Sequence, residues 1–335
     1  MERFQYTRAD DIQAALRLAA SAPGQARFIA GGTTLVDLMK LDVETPAQVI
    51  DINGLPLDQV EQLADGRTRI GALVRNADLA RHPRIAAHYA VLSQALLAGA
   101  SAQLRNMATT SGNLLQRTRC VYFRDRAARC NKRDPGSGCD AIDGHNRNLA
   151  VLGTSVHCIA SNPSDMNVAL TALDATVQVQ SLDATRDIPV RDFYLLPGDT
   201  PHRETVLQPG ELITHVILPP PVAGARSCYV KLRDRASYEF ALASAAVVLK
   251  ESDGRIESAA IALGGVGTRP WHCAPAEQLL AGERPTLERY RQAAQAALHD
   301  AVPQSENGFK VELARRCLVH TLCTALPPSK EASHG

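Results

Sequence analysis

The pattern of apolar positions predicts a small β-α-β unit in the first fifty residues. A helix is expected to begin at Asp10–Asp11, because apolar residues follow at helical spacing, and to end at Pro23–Gly24. Residues 26–30 and 48–52 form short apolar runs typical of buried strands. Between them, residues 35–39 are expected to form a helical turn. Together these elements predict a compact N-terminal unit.

Further along, apolar patterning predicts mixed strands and helices with a break near Leu218–Pro221. The turn Ser252–Gly254 is typical of a hairpin between two strands of the C-terminal part. The expected strands are 68–73, 228–233, 241–249 and 256–263, and the expected helices are 76–82, 91–98, 165–173, 274–280, 287–298 and 309–322.

Composition limits the class of protein. The chain has 335 residues, which favours two or three domains, and its 45% hydrophobic and 21% charged residues are ordinary for a globular protein. A net charge of +1 favours neither nucleic acid nor a polybasic membrane surface. No apolar run is long enough to span a membrane, and the N-terminus has no signal-peptide core. We therefore expect no nucleic acid partner and no membrane span.

Three separate segments combine small residues with hydroxyl, amide or carboxylate groups. The first follows a predicted strand, and its glycines would let backbone N–H groups converge on a phosphate, although a tight turn explains them equally well. In the third, Asp165 could cap a helix or accept hydrogen bonds from a ribose. Together the segments suggest a long ligand such as a dinucleotide. They are Ala30-Gly31-Gly32-Thr33-Thr34-Leu35, Thr109-Thr110-Ser111-Gly112-Asn113 and Ser161-Asn162-Pro163-Ser164-Asp165.

Four of the eight cysteines lie in one basic segment. Thiolates bind metals, and nearby cations lower the pKa of a thiol, so these cysteines predict one ligand set. Their spacing, C-x9-C-x8-C-x18-C, lacks the C-x2-C pairs typical of zinc ribbons. An iron–sulfur cluster, zinc and two disulfides all remain open on this chemistry. The four are Cys120, Cys130, Cys139 and Cys158, whereas Cys228, Cys273, Cys317 and Cys323 are expected to be small core residues or isolated.

The three segments, together with Gln103-Leu104-Arg105-Asn106, Lys231 and residues 261–266, resemble a known family over nearly the whole chain. This family is the FAD-binding (medium) subunit of the molybdenum hydroxylases, which include xanthine dehydrogenase and carbon monoxide dehydrogenase. Ser111 departs from the glycine of many relatives, but its backbone N–H is expected to serve the same purpose. The resemblance implies FAD contacts at Ala30, Gly31, Gly32, Thr33, Thr34, Leu35, Arg105, Thr109, Thr110, Ser111, Gly112, Asn113, Asp165 and Lys231.

Residues 112–120 and the segments around Cys130 and Cys139 are most similar to the flavin subunit of bacterial periplasmic-type aldehyde oxidoreductases. The resemblance identifies residues 117–158 as an insertion that ordinary xanthine dehydrogenase flavin domains lack. In the similar subunits such an insertion holds a [4Fe–4S] cluster. Its implied ligands here are Cys120, Cys130, Cys139 and Cys158. A flavin-side role is implied for Lys231, where a cation would stabilise the reduced ring.

The implied fold is α+β. Two subdomains would bind FAD in the manner of the vanillyl-alcohol-oxidase/PCMH type, and a C-terminal three-stranded sheet with helices would follow. The expected boundaries are 1–55 for the first subdomain, 56–220 for the second with its insertion at about 117–158, and 221–330 for the C-terminal domain.

The implied function is electron transfer within a larger enzyme, with no catalytic residue on this chain. A molybdenum-cofactor large subunit would oxidise an aldehyde, a small subunit with two [2Fe–2S] clusters would pass on the electrons, and FAD would deliver them to an external acceptor. The alternatives are a 4-hydroxybenzoyl-CoA reductase-like or NAD-linked xanthine dehydrogenase-like subunit, and a non-catalytic metal-binding scaffold. We expect export to the periplasm with a signal-bearing partner, or otherwise a cytoplasmic location.

Overall fold

A three-stranded parallel sheet forms the N-terminal unit of the computed structural model, which describes residues 1–329. Its strands lie in the order β1-β3-β2, with β2 and β3 paired in parallel from Ala26 opposite Gln48 to Ile29 opposite Asp51. The Asp11 carboxylate caps the first helix by accepting from the N–H of Ala14. The predicted β-α-β unit is thus present. Its elements are β1 (Gln5–Arg8), α1 (Ile12–Ser21), β2 (Ala26–Ile29), α2 (Leu35–Lys40) and β3 (Gln48–Asp51).

A five-stranded antiparallel sheet in the order β4-β5-β8-β6-β7 forms the middle of the chain. Of its strands, only the segment beginning at Thr68 is predicted by the apolar pattern. The strands are β4 (Val60–Gln62), β5 (Thr68–Gly71), β6 (Thr176–Gln180), β7 (Thr185–Pro189) and β8 (Leu212–Leu218).

Short helices lie between these strands along the chain. They are α3 (Asn76–Arg81), α4 (Pro83–His88), α5 (Ala90–Ala98), α6 (Ala102–Met107), α7 (Thr110–Leu114), α8 (Val121–Arg124), α9 (Asp165–Ala172) and α10 (Val190–Phe193). Of these, α3, α5 and α9 contribute residues to the core that also contains the sheet.

An antiparallel sheet in the order β12-β11-β10-β9 forms the C-terminal part. The predicted hairpin turn is present, and its Asp253 and Gly254 both have positive φ (52° and 71°), as a type I′ turn requires. A two-residue strand adds a fourth member to the expected three. The elements are β9 (Arg226–Leu232), β10 (Ala243–Ser252), β11 (Arg255–Gly264), β12 (Trp271–His272), α11 (Ala274–Leu280), α12 (Leu287–Ala297) and α13 (Phe309–Ala325).

The buried apolar side chains form three clusters. The largest joins the first two sheets, since it contains both Ile50 of β3 and Ile70 of β5, and the second underlies the C-terminal sheet and helices α11–α13. The third is small and surrounds the cysteines. Each predicted segment contains one sheet, but the boundary at residue 55 crosses a shared core, so the domain boundaries stay a prediction. Within residues 1–329, no helix is long and apolar enough to cross a membrane.

Candidate functional site

The turn between β2 and α2 is shaped by two glycines. Gly32 has φ +71°, a region that side chains with a Cβ rarely adopt. A Cβ on Gly31 would lie 2.0 Å from the carbonyl oxygen of Met107 at the end of α6. The first glycine segment therefore packs directly against the segment that precedes Thr109.

This turn lines a cavity of about 400 Å³. Within the described residues 1–329, none of the backbone N–H groups of Gly31 to Thr34 donates to a backbone carbonyl. Successive free N–H groups at a concave surface form a nest suited to an anion such as a pyrophosphate. The predicted residues that line the cavity are Ala30, Gly31, Gly32, Thr33, Thr34, Leu35, Thr109, Ser111 and Gly112.

The second small-polar segment is a short helix rather than a loop. Thr109 caps α7, and its hydroxyl accepts from the N–H of Gly112 at 3.3 Å. The N–H of Ser111 donates to the carbonyl of Ala72 at 2.9 Å. The expectation that Ser111 offers its N–H to a ligand is therefore wrong, because that N–H already has a partner within the protein.

Two other predicted residues of α7 make hydrogen bonds within the protein and do not line the cavity. Thr110 donates from its hydroxyl to the carbonyl of Val74, and Asn113 accepts at Oδ1 from the hydroxyl of Ser164 at 2.8 Å. Together these bonds hold α7 against the segment that follows β5 and against the start of α9. Thr110 and Asn113 thus support the cavity wall, and their contact with a flavin stays a prediction.

The third segment is capped by a residue other than the expected one. Ser164 is the N-cap of α9 and accepts from the N–H of Asn167. The carboxylate of Asp165 instead accepts from the hydroxyl of Tyr229 at 2.5 Å and from the ammonium group of Lys231 at 2.8 Å. Asp165 and Lys231 do not line the main cavity. The structure thus brings these two predicted residues together with each other, and their flavin contacts remain predictions.

Arg105 also lies outside the cavity lining. Its guanidinium donates to the carbonyl of Gly99 at 2.7 Å and to that of Leu97 at 3.3 Å, where α5 ends. Cations commonly bind the unpaired carbonyls at a helix C-terminus. Arg105 therefore holds the end of α5, and its predicted flavin contact stays untested.

The four cysteines of the insertion meet in the small third core cluster. Cys120, Cys130 and Cys158 are buried in it, and Cys139 packs against it. Cys130 and Cys139 are paired by an isolated antiparallel bridge. Cys158 in addition lines the main cavity. Residues 117–158 therefore place a group of thiols beside the cavity of the glycine turn.

The pKa values of three of these thiols are raised, whereas the sequence predicts lowered values. Burial raises the pKa of Cys120 to about 11 and also raises the pKa values of Cys139 and Cys158. The expectation that surrounding cations lower the thiol pKa is wrong for these three, although Lys132 opposes the rise at Cys158.

Four arginines of the insertion are ion-paired with acidic residues of the N-terminal unit, which offsets their charge. Acidic residues on α2 and on the connection after it form ion pairs with them. The pairs are Arg117 with Glu44, Arg119 and Arg124 with Asp37, and Arg126 with Asp42.

Glu44 and Glu204 are cavity residues that the sequence did not suggest. Burial alone would raise the pKa of Glu204, but the charges of Arg117 and Lys132 outweigh it and lower this pKa below its ordinary value. Both glutamates meet partners more than seventy positions away along the chain. No local pattern in the sequence marks such a contact.

The remaining cysteines fit the expectation of core residues. Cys228, Cys273 and Cys317 are buried in the second cluster, and Cys323 packs against it. Among residues 1–329, no group of three or more His, Cys, Asp or Glu side chains forms a site that could hold a metal ion. The four thiols of the insertion are thus not spaced as ligands of one ion.

Comparison with known families covers almost the whole chain. Residues 2–221 match the FAD binding domain in molybdopterin dehydrogenase, and residues 227–325 match the CO dehydrogenase flavoprotein C-terminal domain. The chain belongs to the FAD-binding subunits of the molybdenum hydroxylase family. The resemblance described from the sequence is confirmed, and FAD is the cofactor that the matched domain binds.

Two curated relatives of this family illustrate the range of similarity. The chain is 52% identical over 330 residues to the aldehyde oxidoreductase FAD-binding subunit PaoB of Escherichia coli strain K12, covering 97% of this chain and 99% of the relative. It is 28% identical over 282 residues to the glyceraldehyde dehydrogenase medium chain of Sulfolobus acidocaldarius, covering 84% and 82%.

Solved structures confirm the fold. Carbon monoxide dehydrogenase from Hydrogenophaga pseudoflava superposes with a TM-score of 0.76 at 24% identity, covering 97% of each chain. The α+β fold expected from the sequence, a flavin-binding region followed by a C-terminal flavoprotein domain, is therefore confirmed.

The residues of the cavity fit FAD. The N–H groups at Gly31–Thr34, which donate to no backbone carbonyl among residues 1–329, suit a pyrophosphate, and Thr109 and Ser111 line the same cavity. Ser161 and Asn162 of the third small-polar segment also line this cavity.

Proposed function

We propose that this chain is the FAD- and [4Fe–4S]-carrying electron-transfer subunit of a molybdenum-dependent aldehyde oxidoreductase. In the complete enzyme an aldehyde and water would give a carboxylic acid, two protons and two electrons on a molybdenum-containing large subunit. A small subunit with two [2Fe–2S] clusters would carry the electrons to this chain. The 52% identity to an aldehyde oxidoreductase FAD-binding subunit supports this substrate class.

FAD would supply the exchange between one-electron arrival and two-electron delivery to an external acceptor. The chain's own residues bind and orient it. Gly31–Thr34 would hold the pyrophosphate through their N–H groups, while Thr109 and Ser111, which line the same cavity, would bind other polar groups of the cofactor. No residue of the cavity is assigned a catalytic role.

The single observation that carries the iron–sulfur assignment is the position of Cys158. Its side chain belongs to the buried cysteine cluster and also lines the cavity of the glycine turn. A cluster held by Cys120, Cys130, Cys139 and Cys158 would therefore lie beside FAD. This position supports a redox role as well as a structural one.

The donor set has the chemistry of a cluster site. Each thiolate of a [4Fe–4S] cluster binds a different iron, so four cysteines supply its four corners. Four thiols share one buried core cluster here, and the described residues form no single-ion site, so the assignment rests on the cysteine set and its place beside the cavity. Burial raises the pKa values of Cys120, Cys139 and Cys158, so cluster binding would release protons from these thiols.

Iron, sulfide and flavin counts on the purified chain test this proposal. We expect one FAD, four irons and four sulfides per chain. Cys139→Ser should lose the iron, whereas the matched control Cys228→Ser, which removes a thiol of the C-terminal core, should keep it. Iron that is absent from the unaltered chain, or retained in full by Cys139→Ser, would reject the cluster.

The enzymatic alternatives differ in substrate and acceptor. NAD+ is added to the reduced complex and NADH is measured. NADH formation would identify an NAD-linked enzyme of the xanthine dehydrogenase type. Reduction of 4-hydroxybenzoyl-CoA by the complex would identify the reductase type. Turnover of aromatic or aliphatic aldehydes with an artificial acceptor, without NADH formation, is the result that supports our proposal.

The same proposal includes assembly and location. We infer a heterotrimer with the molybdenum and [2Fe–2S] subunits, exported to the periplasm when a partner carries the signal and otherwise cytoplasmic. Co-purification of three chains in equal amounts, followed by cell fractionation, tests both points. A chain that purifies alone from cells expressing all three genes would contradict the assembly.

A further inference from the structure

Glu204 joins the cavity to the cysteine insertion at two points. Its carboxylate accepts from Nζ of Lys132 at 2.8 Å through Oε1 and from Nε of Arg117 at 3.1 Å through Oε2. Lys132 lies between Cys130 and Cys139 in the sequence, and only 10% of its side chain is exposed. Both cations and Glu204 line the cavity of the glycine turn.

Arg117 extends this connection in two directions. Its Nη1 atom donates to Glu44, which lies on the connection between α2 and β3 and also lines the cavity. Its guanidinium carbon lies 4.5 Å from the centre of the ring of Phe123. Phe123 is fully buried in the core cluster that contains the cysteines. The side chain of Arg117 therefore contacts both a residue of the cavity wall and a residue of the core cluster around the thiols.

Partly buried ion pairs join these segments. Arg117 and Glu44 are only 20% and 12% exposed, so water screens their attraction weakly. Lys132 also donates to the carbonyl of Pro201 at 2.9 Å, which anchors the loop that carries Glu204. Movement of the insertion must therefore move two acidic residues of the cavity wall.

We propose that Arg117, together with Lys132, is a positioning residue that couples FAD binding to occupancy of the cysteine centre. This inference rests on the proposed function, since it requires both cofactors. Filling the cysteine centre orders the insertion, and the insertion, through Arg117 and Lys132, orders Glu44 and Glu204 around the flavin cavity. Arg117 touches no reacting atom in this scheme.

Coupling of this kind is reciprocal. If the filled cysteine centre tightens FAD binding by a given factor, FAD must tighten retention of the iron by the same factor. We expect a factor on the order of tenfold, within the usual range for coupled sites. The coupling should vanish when Arg117 no longer links the two segments.

A double-mutant cycle on the complete enzyme tests the proposal. The Kd of FAD is measured for the unaltered chain, Cys139→Ser, Arg117→Met and the combined variant, by release and rebinding of the fluorescent flavin. Cys139→Ser should weaken FAD binding about tenfold in the unaltered background and leave it nearly unchanged in the Arg117→Met background. Equal weakening in both backgrounds would overturn the proposal.

Matched variants separate positioning from general damage. Arg129→Met removes another ion-paired arginine of the insertion, one that is 72% exposed and does not line the cavity, and should keep the tenfold coupling. Arg117→Lys should restore part of it. If Arg117→Met does not fold, Lys132→Met replaces it in the cycle, and unchanged coupling there would equally overturn the proposal.

The outcome also separates this inference from the proposed function. An unaltered chain that holds no iron or no FAD would reject the proposed function. A chain that holds both, but whose FAD affinity is the same with and without the cysteine centre, would reject only the coupling.

Discussion

The ammonium group of Lys231 lies 2.8 Å from Oδ2 of Asp165, and the two side chains are 3% and 8% exposed. The pair joins β9 of the C-terminal sheet to the first turn of α9. Lys231 also donates to the carbonyl of Ala98 at the end of α5. This buried ion pair therefore fixes the C-terminal domain to two helices of the flavin-binding region.

Breaking this pair should destabilise the protein strongly. Removing one partner leaves the other charge buried and unpaired, which costs about 3–5 kcal/mol of unfolding free energy. We expect Lys231→Met to show this loss, and Lys231→Met combined with Asp165→Asn to recover part of it. Urea unfolding monitored by the fluorescence of Trp271, the single tryptophan, measures both. Losses that simply add would show that the two residues are not coupled.

A methyl group on Gly31 should release FAD from a chain that stays folded. Its Cβ would meet the carbonyl oxygen of Met107 at 2.0 Å, so the turn must move and its N–H groups must leave their present positions. We expect Gly31→Ala to lower the bound FAD severalfold while the urea unfolding transition stays cooperative. Gly308→Ala is the control, because the nearest atom that a Cβ would meet there, among residues 1–329, is 3.9 Å away. Loss of the cooperative transition in Gly31→Ala would indicate general unfolding instead.

The sequence predicts the elements whose signals are local and leaves out those set by distant partners. The Asp253–Gly254 turn and the N-terminal helix have strong local signals, and both are present. Strand β6 alternates in burial along Thr176–Gln180, and its sequence carries this period of two, although no strand is expected there from the sequence. The three-residue strand β4 exists through pairing with β5, which no local pattern encodes.

The residues of the candidate site also fall into those with a local signal in the sequence and those set by distant contacts. The glycine turn and the cysteine set can be predicted from the sequence because their residue types and spacing are unusual. Ser164 and Asp165 are both good helix caps, so composition could not decide which of them caps α9 and which binds Lys231. Glu204 has no motif, and its role follows only from its distant contacts with Arg117 and Lys132.

Lys310 should make stability depend on pH. The side chain is fully buried, donates to the carbonyls of Asn148, Leu149 and Gly265, and burial lowers its pKa to about 7 from 10.5. Between these two values the unfolded chain binds more protons than the folded chain, so the free energy of unfolding rises with pH. Below pH 7 both states are protonated and the full cost of burying the charge remains.

Substitution by methionine removes this dependence. Raising the pH from 7 to 8.5 should stabilise the unaltered protein relative to Lys310→Met by up to about 2 kcal/mol, at about 1.4 kcal/mol for each pH unit. Urea unfolding at the two pH values measures the difference. A difference between the two proteins that does not change with pH would contradict the lowered pKa of Lys310.

Asn146 should hold the end of the cysteine insertion against the C-terminal domain. Its side chain is fully buried, donates to the hydroxyl of Ser305 at 3.0 Å and accepts from the N–H of Glu306 at 3.0 Å. Asn146→Ala would leave this N–H and several nearby carbonyls without partners, at about 1–3 kcal/mol for each buried group left unpaired. We expect the insertion to open locally before the rest of the protein unfolds.

Limited proteolysis followed by mass spectrometry detects this opening. Cleavage of Asn146→Ala should be faster after the arginines and lysines of residues 124–133 than in the unaltered protein, while cleavage elsewhere stays the same. Asn148→Ala is the control, because its side chain is exposed and accepts a hydrogen bond from its neighbour Arg147. Equal cleavage rates in Asn146→Ala and the unaltered protein would show that the insertion is held by its other contacts, such as the ion pairs of Arg117 and Arg124.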